Sequence, residues 1–304
     1  MGIDGYCWMH KAIYCDDMDL AFNPESTSYL YFLKSKVNLL LKHGIIPVMI
    51  FDGNRLPAKN AEEEHRQFKR EEKQKHAYQL LSQGKTEEAK LRMICSLDIT
   101  PEMVHKFSKF LTEMGVEFIV APYEADAQLA YLDYINYIDA VCTEDSDLIA
   151  YGCKKIVYKL DSRGFCQEIK TCRVFEPANR MHFAKFSHDM FLQFCILSGC
   201  DFFKISGIST NKAYKLIQKC MNFWDAIPAI ETMLKRKLTS DVSVQFEKAY
   251  MTFKHQVVYC PIEKCMKHLT KTERSDAYLG TIQPEGIAVQ IASASIHPFS
   301  LITF

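Results

Sequence analysis

Short apolar runs of strand character alternate along the chain with longer stretches whose apolar residues recur every three or four positions. Residues 45–51 (IIPVMIF), 116–120 (VEFIV), 138–142 (IDAVC) and 156–160 (IVYKL) are the strand-like runs, brief and rich in β-branched side chains. Between them, 27–43 carries Tyr29, Phe32, Leu33, Val37, Leu40 and Leu41 on one helical face and closes at Gly44. Thr100-Pro101 opens another helix, a capping hydroxyl followed by proline at the first helical position. Val104, Phe107, Phe110, Leu111 and Met114 form its apolar face, and Gly115 ends it. Residues 188–199 read as a further helix. Strands alternating with helices predict an α/β protein with a central, mostly parallel sheet flanked by helices. In such sheets ligands bind outside the carboxyl ends of the strands.

One segment breaks the pattern. Residues 55–75 hold seven basic and five acidic side chains and almost no apolar stripe. A helix of that composition does not pack on a core. It ordinarily forms a solvated, salt-bridged face. Past Gly84, residues 87–95 predict a second short helix.

The polar residues at the strand ends carry the candidate chemistry. The run 45–51 ends in Asp52-Gly53, 116–120 leads into Glu124 and Asp126, 138–142 leads into Asp145 and Asp147, and the helix ending in CILSGC delivers Asp201. Singly these have plain readings: Asp-Gly is a turn, Asp145 a helix cap, and Glu124 suits a helix start. Together they put many carboxylates on one sheet edge. Two such charges about 4 Å apart repel by about 4 kcal/mol at an effective dielectric of about 20. The groups must protonate or bind cations. Hard oxygen ligands suit Mg²⁺ or Mn²⁺, and a carboxylate-held metal pair can clamp the attacking and leaving oxygens of a phosphodiester. Asp4 is a further candidate, but nothing upstream of it is long enough to read as a strand.

Composition adds limits. Hydrophobic residues make up 48% of the 304, which is ordinary for a globular protein. Lys+Arg and Asp+Glu both number 37, so only local clustering can speak for nucleic acid. Neither a membrane-spanning run nor a signal peptide is visible. Twelve cysteines without a CxxC pair predict reduced, mostly buried thiols in an intracellular protein.

The blocks IFDG (50–53), APYEADAQLAYL (121–132), TEDSDLIAYGCKK (143–155) and CILSGCDF (195–202) resemble the signature blocks of the flap endonuclease (XPG-type) superfamily of 5′ nucleases. The serine in TEDSDL, the GCKK and ILSGCD are more similar to the exonuclease 1 branch. The likeness runs from Asp4 to about residue 291. It implies a PIN-like 5′ nuclease fold with a helical arch at about 55–98 and a helix–two-turn–helix at about 188–220. The implied regions are 1–180 and 181–304, within one catalytic core. Asp4, Asp52, Glu124, Asp126, Asp145, Asp147 and Asp201 match ligands of two Mg²⁺ ions, with Mn²⁺ able to substitute. Lys59 and Arg66 match two arch cations at the scissile phosphate. Their spacing of seven lets one helical face present both. His10 matches a ring that stacks on a base, while Tyr6 and Trp8 read as core.

In GCDFFKISGISTNKAYKLIQKC (199–220), the turn at Gly207-Ile208 offers backbone amides, and Lys212, Lys215 and Lys219 follow on one face. That suits a phosphate-backbone clamp blind to sequence. The family usually has glycine where Ser209 stands, and serine resists positive φ. The resemblance also implies K⁺ at this turn. Residues 253–262 resemble the exonuclease 1 return segment.

Relatives carry a longer stretch between MGI and the equivalent of DGYCWMHK. The resemblance therefore implies a missing first strand, through a truncated or misassembled gene model or a natural variant with a crippled site. Gly2 is not assigned the family's DNA-contacting role. The implied function is a Mg²⁺-dependent, structure-specific 5′→3′ double-stranded DNA exonuclease with 5′ flap endonuclease activity. Its setting would be DNA repair, including mismatch repair, or recombination, in the nucleus. Its substrates would be duplexes with 5′ ends, nicks, gaps or flaps, and repair proteins would be its partners, although no recruitment tail or clamp-binding box is recognisable. Flap endonuclease proper and a catalytically impaired DNA-structure-binding protein are the alternatives.

Overall fold

The computed structural model describes residues 1–15, 26–177 and 181–304. The expected region boundary at 180 lies outside them. The chain runs β1 (Gly2–Asp4), α1 (Gly5–Cys15), α2 (Tyr29–Lys42), β2 (Val48–Phe51), a 3₁₀ turn (Pro57–Lys59), α3 (Asn60–Ser82), α4 (Thr86–Ile94), α5 (Pro101–Glu113), β3 (Glu117–Val120), α6 (Ala125–Tyr134), β4 (Val141–Cys142), α7 (Asp147–Tyr151), β5 (Lys155–Tyr158) and β6 (Gln167–Lys170). Helices α8 (His188–Ser198), α9 (Thr210–Cys220), α10 (Phe223–Leu234) and α11 (Ser240–His255) follow. The hairpin β7 (Val257–Cys260) and β8 (Cys265–His268) and then α12 (Glu285–Ala292) close the fold.

The six-stranded sheet has the order β3-β2-β1-β4-β5-β6. Its first five strands are parallel, and β6 joins antiparallel to β5. The expectation of a mostly parallel, helix-flanked sheet holds. The expectation of a missing first strand does not. Gly2–Asp4 is the central strand, pairing Ile3 with Met49 on one side and with Cys142 on the other. A strand bonded along both edges needs only three residues, because each contributes to two ladders. Gly2 serves this packing: a Cβ there would lie 2.6 Å from Ile138 Cδ1 and 2.7 Å from Leu129 Cδ2.

The other strands are shorter than their apolar runs. Ile45 to Pro47 precede β2 because proline has no N–H for the ladder, and Ile46 is exposed. Helix α5 starts as its sequence predicts, with Thr100 Oγ1 accepting the Met103 N–H at 3.4 Å. Helix α2 departs in two places. Leu41 is exposed, and Lys36 is buried, its Nζ donating to the Leu160 carbonyl at 2.6 Å beside the Trp8 ring. Trp8 is core as expected.

Two apolar cores result. One surrounds the sheet and takes in residues of α1, α2, α5, α6, β7 and α12. The other is helical, joins Ala150 to residues within 186–253, and centres on Phe223 stacked on Phe246 at 3.7 Å. After α11 the chain returns to the sheet core. The cysteine expectation is half right. No disulfide joins the described cysteines, but only Cys142, Cys153 and Cys260 are buried, and Cys166 and Cys172 are exposed.

Candidate active site

Chain order reverses in the sheet between β1 and β4, the position where parallel sheets open a crevice at their carboxyl edge. Asp4 ends β1, Asp52 follows β2, Glu124 lies past β3 and Asp145 past β4, so four carboxylates share that edge. Asp126 lies in the first turn of α6 and Asp147 in that of α7. Asp201 follows the α8 end. A cleft of about 480 Å³ is lined by Asp4, Asp52, Glu124, Asp126, Asp145 and Asp201 together with Lys59, Arg66, Tyr6 and His10. Asp147 stands beside this lining, near Asp145.

Hydrogen bonds from backbone amides and from Thr143 hold Asp4, Asp52 and Asp145. Asp4 accepts the Cys7 N–H at 3.0 Å and the Thr143 hydroxyl at 2.8 Å. Thr143 Oγ1 in turn accepts the Asp145 N–H, and Asp145 Oδ1 accepts the Asp147 N–H at 2.8 Å. Asp52 accepts the Ala125 N–H at 2.6 Å. Gly53 lets β2 turn away beside the β3 end, since a Cβ there would lie 1.9 Å from the Ala121 carbonyl oxygen.

The electrostatics are those of crowded negative charge. Burial, with Asp4 and Glu124 adding repulsion, pushes the Asp52 carboxyl up to about 7 against the pull of the Ala125 amide. Burial and then the charges of Asp145 and Asp201 push Asp147 up to about 7. Asp126 is raised well above the usual carboxylate range by burial and by Asp4, Asp145, Glu124 and Asp52. Two arch cations offset only part of this charge. Lys59 Nζ donates to Glu124 Oε1 at 2.6 Å and lies 2.9 Å from Asp201 Oδ2; Arg66 Nη2 reaches the same oxygen at 2.7 Å. Burial raises the Asp201 carboxyl, but Lys59 and Arg66 outweigh it and hold the group low. Among the described residues, Asp4, Asp52, Asp126, Asp145 and Asp147 have no ion pair.

This donor set fits a hard divalent cation. It is all carboxylate oxygen, partly desolvated and short of positive charge. As the side chains stand, no three acidic, histidine or cysteine groups among the described residues are gathered tightly enough to enclose an ion. Mg²⁺ does not require that, since it keeps several waters and uses one or two direct carboxylates.

The arch begins with the 3₁₀ turn, so Lys59 and Arg66 do not share one helical face. They converge on Asp201 from successive elements instead. Of α3 only Ala77 and Leu80 are buried. His10 packs edge-on to Tyr6 with centroids 6.5 Å apart, and burial lowers its pKa. The Gly207 turn does not line the cleft. Gly207 has φ +92° as expected of a tight turn. Ser209 needs no positive φ: it is extended at −93° in the N-cap position of α9. The Ile208 amide is not free, because it donates to the Ile205 carbonyl at 3.3 Å. Lys212 folds back so that its Nζ donates to the Gly207 carbonyl at 2.8 Å. Lys215 and Lys219 are exposed on the same face.

Sequence reasoning missed Thr143 and Gln256. Thr143 was legible as the residue two before Asp145, a spacing at which a hydroxyl can accept the amide. Gln256 has its side-chain Nε2 donating to Glu124 Oε2 at 3.0 Å across 132 positions, and no local signal marks it.

The chain matches the XPG N-terminal domain over residues 1–73 and the XPG I-region over 115–201, more than half of its length between them. It is 34% identical over 313 residues to exodeoxyribonuclease 1 of Schizosaccharomyces pombe, covering 100% of this chain and 54% of that protein. It is 36% identical over 274 residues to exonuclease 1 of Danio rerio, covering 87% of this chain and 33% of that one. The chain thus spans about half or less of these relatives. Among solved structures, the catalytic core of Rad2 in complex with DNA substrate matches with TM-score 0.59 and 21% identity, covering 82% of this chain and 78% of that one. Flap endonuclease-1 from Methanococcus jannaschii matches with TM-score 0.54 and 20% identity, covering 83% and 77%. The parallel sheet, the arch over its carboxyl edge and these matches agree: the chain belongs to the XPG family of 5′ nuclease-fold proteins, and its sequence is similar to exonuclease 1 proteins.

Proposed function

We propose that this protein is a divalent-metal-dependent 5′ nuclease that hydrolyses DNA phosphodiesters, chiefly as a 5′→3′ exonuclease on duplex ends and with 5′ flap cleavage. One observation carries the reading. Five carboxylates at the sheet edge have no cationic partner among the described residues, and three of them are driven toward protonation by burial and mutual repulsion. Such an arrangement destabilises a fold unless a cation uses it. Two Mg²⁺ ions, with Mn²⁺ able to replace them, would supply an activated water and neutralise charge on the reacting phosphoryl group. Asp4, Asp52, Glu124, Asp126, Asp145, Asp147 and Asp201 would hold them, directly or through water.

The chain's own residues do the rest. Lys59 and Arg66, already at the cleft, orient the scissile phosphate and stabilise its growing charge. His10, held neutral by burial, offers a ring face to a base beside that phosphate. The start of α9 offers first-turn amides, and Lys215 and Lys219 add point charges that grip one strand of a duplex without reading it. A K⁺ ion at the Gly207 turn belongs to the same reading, but Lys212 already takes the Gly207 carbonyl, so K⁺ would use other oxygens. The central strand places Asp4 at the cleft, which favours catalysis over a merely DNA-binding role. Substrates would be duplexes with 5′ ends, nicks, gaps or flaps, met in nuclear repair, mismatch correction or recombination alongside repair proteins.

A 5′-recessed duplex labelled on each strand in turn tests the reading. Mg²⁺ should give shortening from 5′ ends, and a chelator should stop it. Cleavage that persists in chelator, or that proceeds from 3′ ends, would rule the reading out.

A further inference from the structure

We infer that Gln256, at the junction between α11 and β7, is a positioning residue for Glu124, and that it fixes the carboxylate as well as the backbone of that residue. The inference rests on the proposed metal-binding role of Glu124.

Gln256 is 0% exposed. Its side-chain amide meets Glu124 twice: Oε1 accepts the Glu124 N–H at 3.3 Å, and Nε2 donates to Glu124 Oε2 at 3.0 Å. Its backbone is fixed as well, the N–H donating to Thr252 and the carbonyl accepting from Leu269. The amide therefore has little freedom. One turn further along α6, Gln128, also 0% exposed, makes a matching clasp on β7. Its Nε2 donates to the Tyr259 carbonyl and its Oε1 accepts the Tyr259 N–H, both at 2.7 Å. Two buried amides thus stitch the start of α6, which bears Glu124 and Asp126, to residues 256–259.

The two clasps differ in what they hold. Gln128 bonds only to backbone, so it secures the helix against the strand. Gln256 also bonds to a carboxylate oxygen of Glu124, whose other oxygen takes Lys59. With one oxygen tied to Gln256, the carboxylate presents a fixed edge to the cleft and cannot rotate away when Lys59 engages a phosphate. Groups that orient a metal ligand in this way typically govern affinity by about 10–100-fold.

Gln256→Met removes both polar atoms at similar length, and Gln128→Met does the same to the other clasp. Mn²⁺ binding is measured by titration calorimetry, together with thermal stability and single-turnover cleavage across duplex concentrations. Gln256→Met should weaken Mn²⁺ by about tenfold or more and lower the saturating rate, with the half-saturating duplex concentration unchanged. Gln128→Met should lower the melting temperature and keep wild-type Mn²⁺ affinity. If Gln256→Met does not fold, Gln256→Asn, one methylene short of the contact, carries the same expectation. Wild-type Mn²⁺ affinity in a folded Gln256 variant overturns the positioning role. Glu124→Gln separates the two layers: if it weakens Mn²⁺ while the Gln256 variant does not, only the positioning role falls. If Glu124→Gln also binds as wild type, the metal reading falls with it.

Discussion

The carboxylate edge and the α9 face both handle charge, but they are built in opposite ways. The edge draws seven acids from residues 4 to 201 and several different elements, with Asp4 buried and Asp52 and Asp126 half-buried among them. The α9 face sets Lys212, Lys215 and Lys219 along two turns of one exposed helix, backed by buried Ala213, Leu216 and Ile217. Crowding makes the edge costly in isolation and powerful once its charge is answered. Spreading makes the α9 face cheap and weak, able to attract a polyanion but not to polarise a bond. In the proposed reaction this difference would put the chemistry at the edge and the capture on the helix.

The largest expected effect that separates the two lies in the arch. Arg66 bridges to Asp201 at the cleft, so in the proposed reaction its charge would act where phosphoryl charge grows. Arg66→Ala should lower single-turnover cleavage about a hundredfold or more while weakening duplex binding far less. Equal losses in affinity and an unchanged saturating rate would move Arg66 to the capture side.

A second effect sharpens the account of cost. Asp52 and Asp147 have folded pKa values raised from 3.8 to about 7, so in that window the folded state holds protons that the unfolded state has lost. Stability must then fall as pH rises through it. Asp201, held low, acts oppositely below 3.8, and His10, held neutral, acts oppositely below 6.5, but the raised carboxyls outnumber them. In chelator the melting temperature should drop between pH 5 and pH 8, and Mg²⁺ should restore it at pH 8. A flat profile would mean that the acids are less crowded than their geometry indicates.

The smallest effect belongs to α9. Lys212 is engaged with Gly207, so Lys215 is the cleaner probe. Lys215→Ala should weaken duplex binding alike for any sequence and reduce the salt slope by about one unit, with the saturating cleavage rate kept. A loss confined to some sequences would indicate base reading.

Much of the architecture was legible because it follows local periodicity. The runs at 45–51 and 116–120, the Thr100-Pro101 start and the unpacked arch each carry a pattern set by immediate neighbours. The strand-end position of the acids followed from the sheet class alone. What stayed hidden depends on distant partners. A three-residue β1 has no periodicity to display, and only ladders to Val48–Ile50 and Val141–Cys142 make it a strand. Lys36 is buried because the Leu160 carbonyl and the Trp8 ring, both far from it in sequence, give it partners. The spacing of Lys59 and Arg66 suggested one helix face, whereas proline at 57 starts a 3₁₀ turn before α3. Gln256 reaches Glu124 across 132 positions of sequence.

If the proposed reading holds, the edge carboxylates serve divalent ions in phosphodiester cleavage and do not hold the substrate. Asp147→Ala tests it most directly, with single-turnover cleavage of a 5′-recessed duplex and duplex affinity measured on the same preparation. Asp147→Ala should show no detectable cleavage in Mg²⁺, with duplex affinity close to wild type. Cleavage at a near wild-type rate, or loss of activity explained entirely by lost affinity, would contradict it.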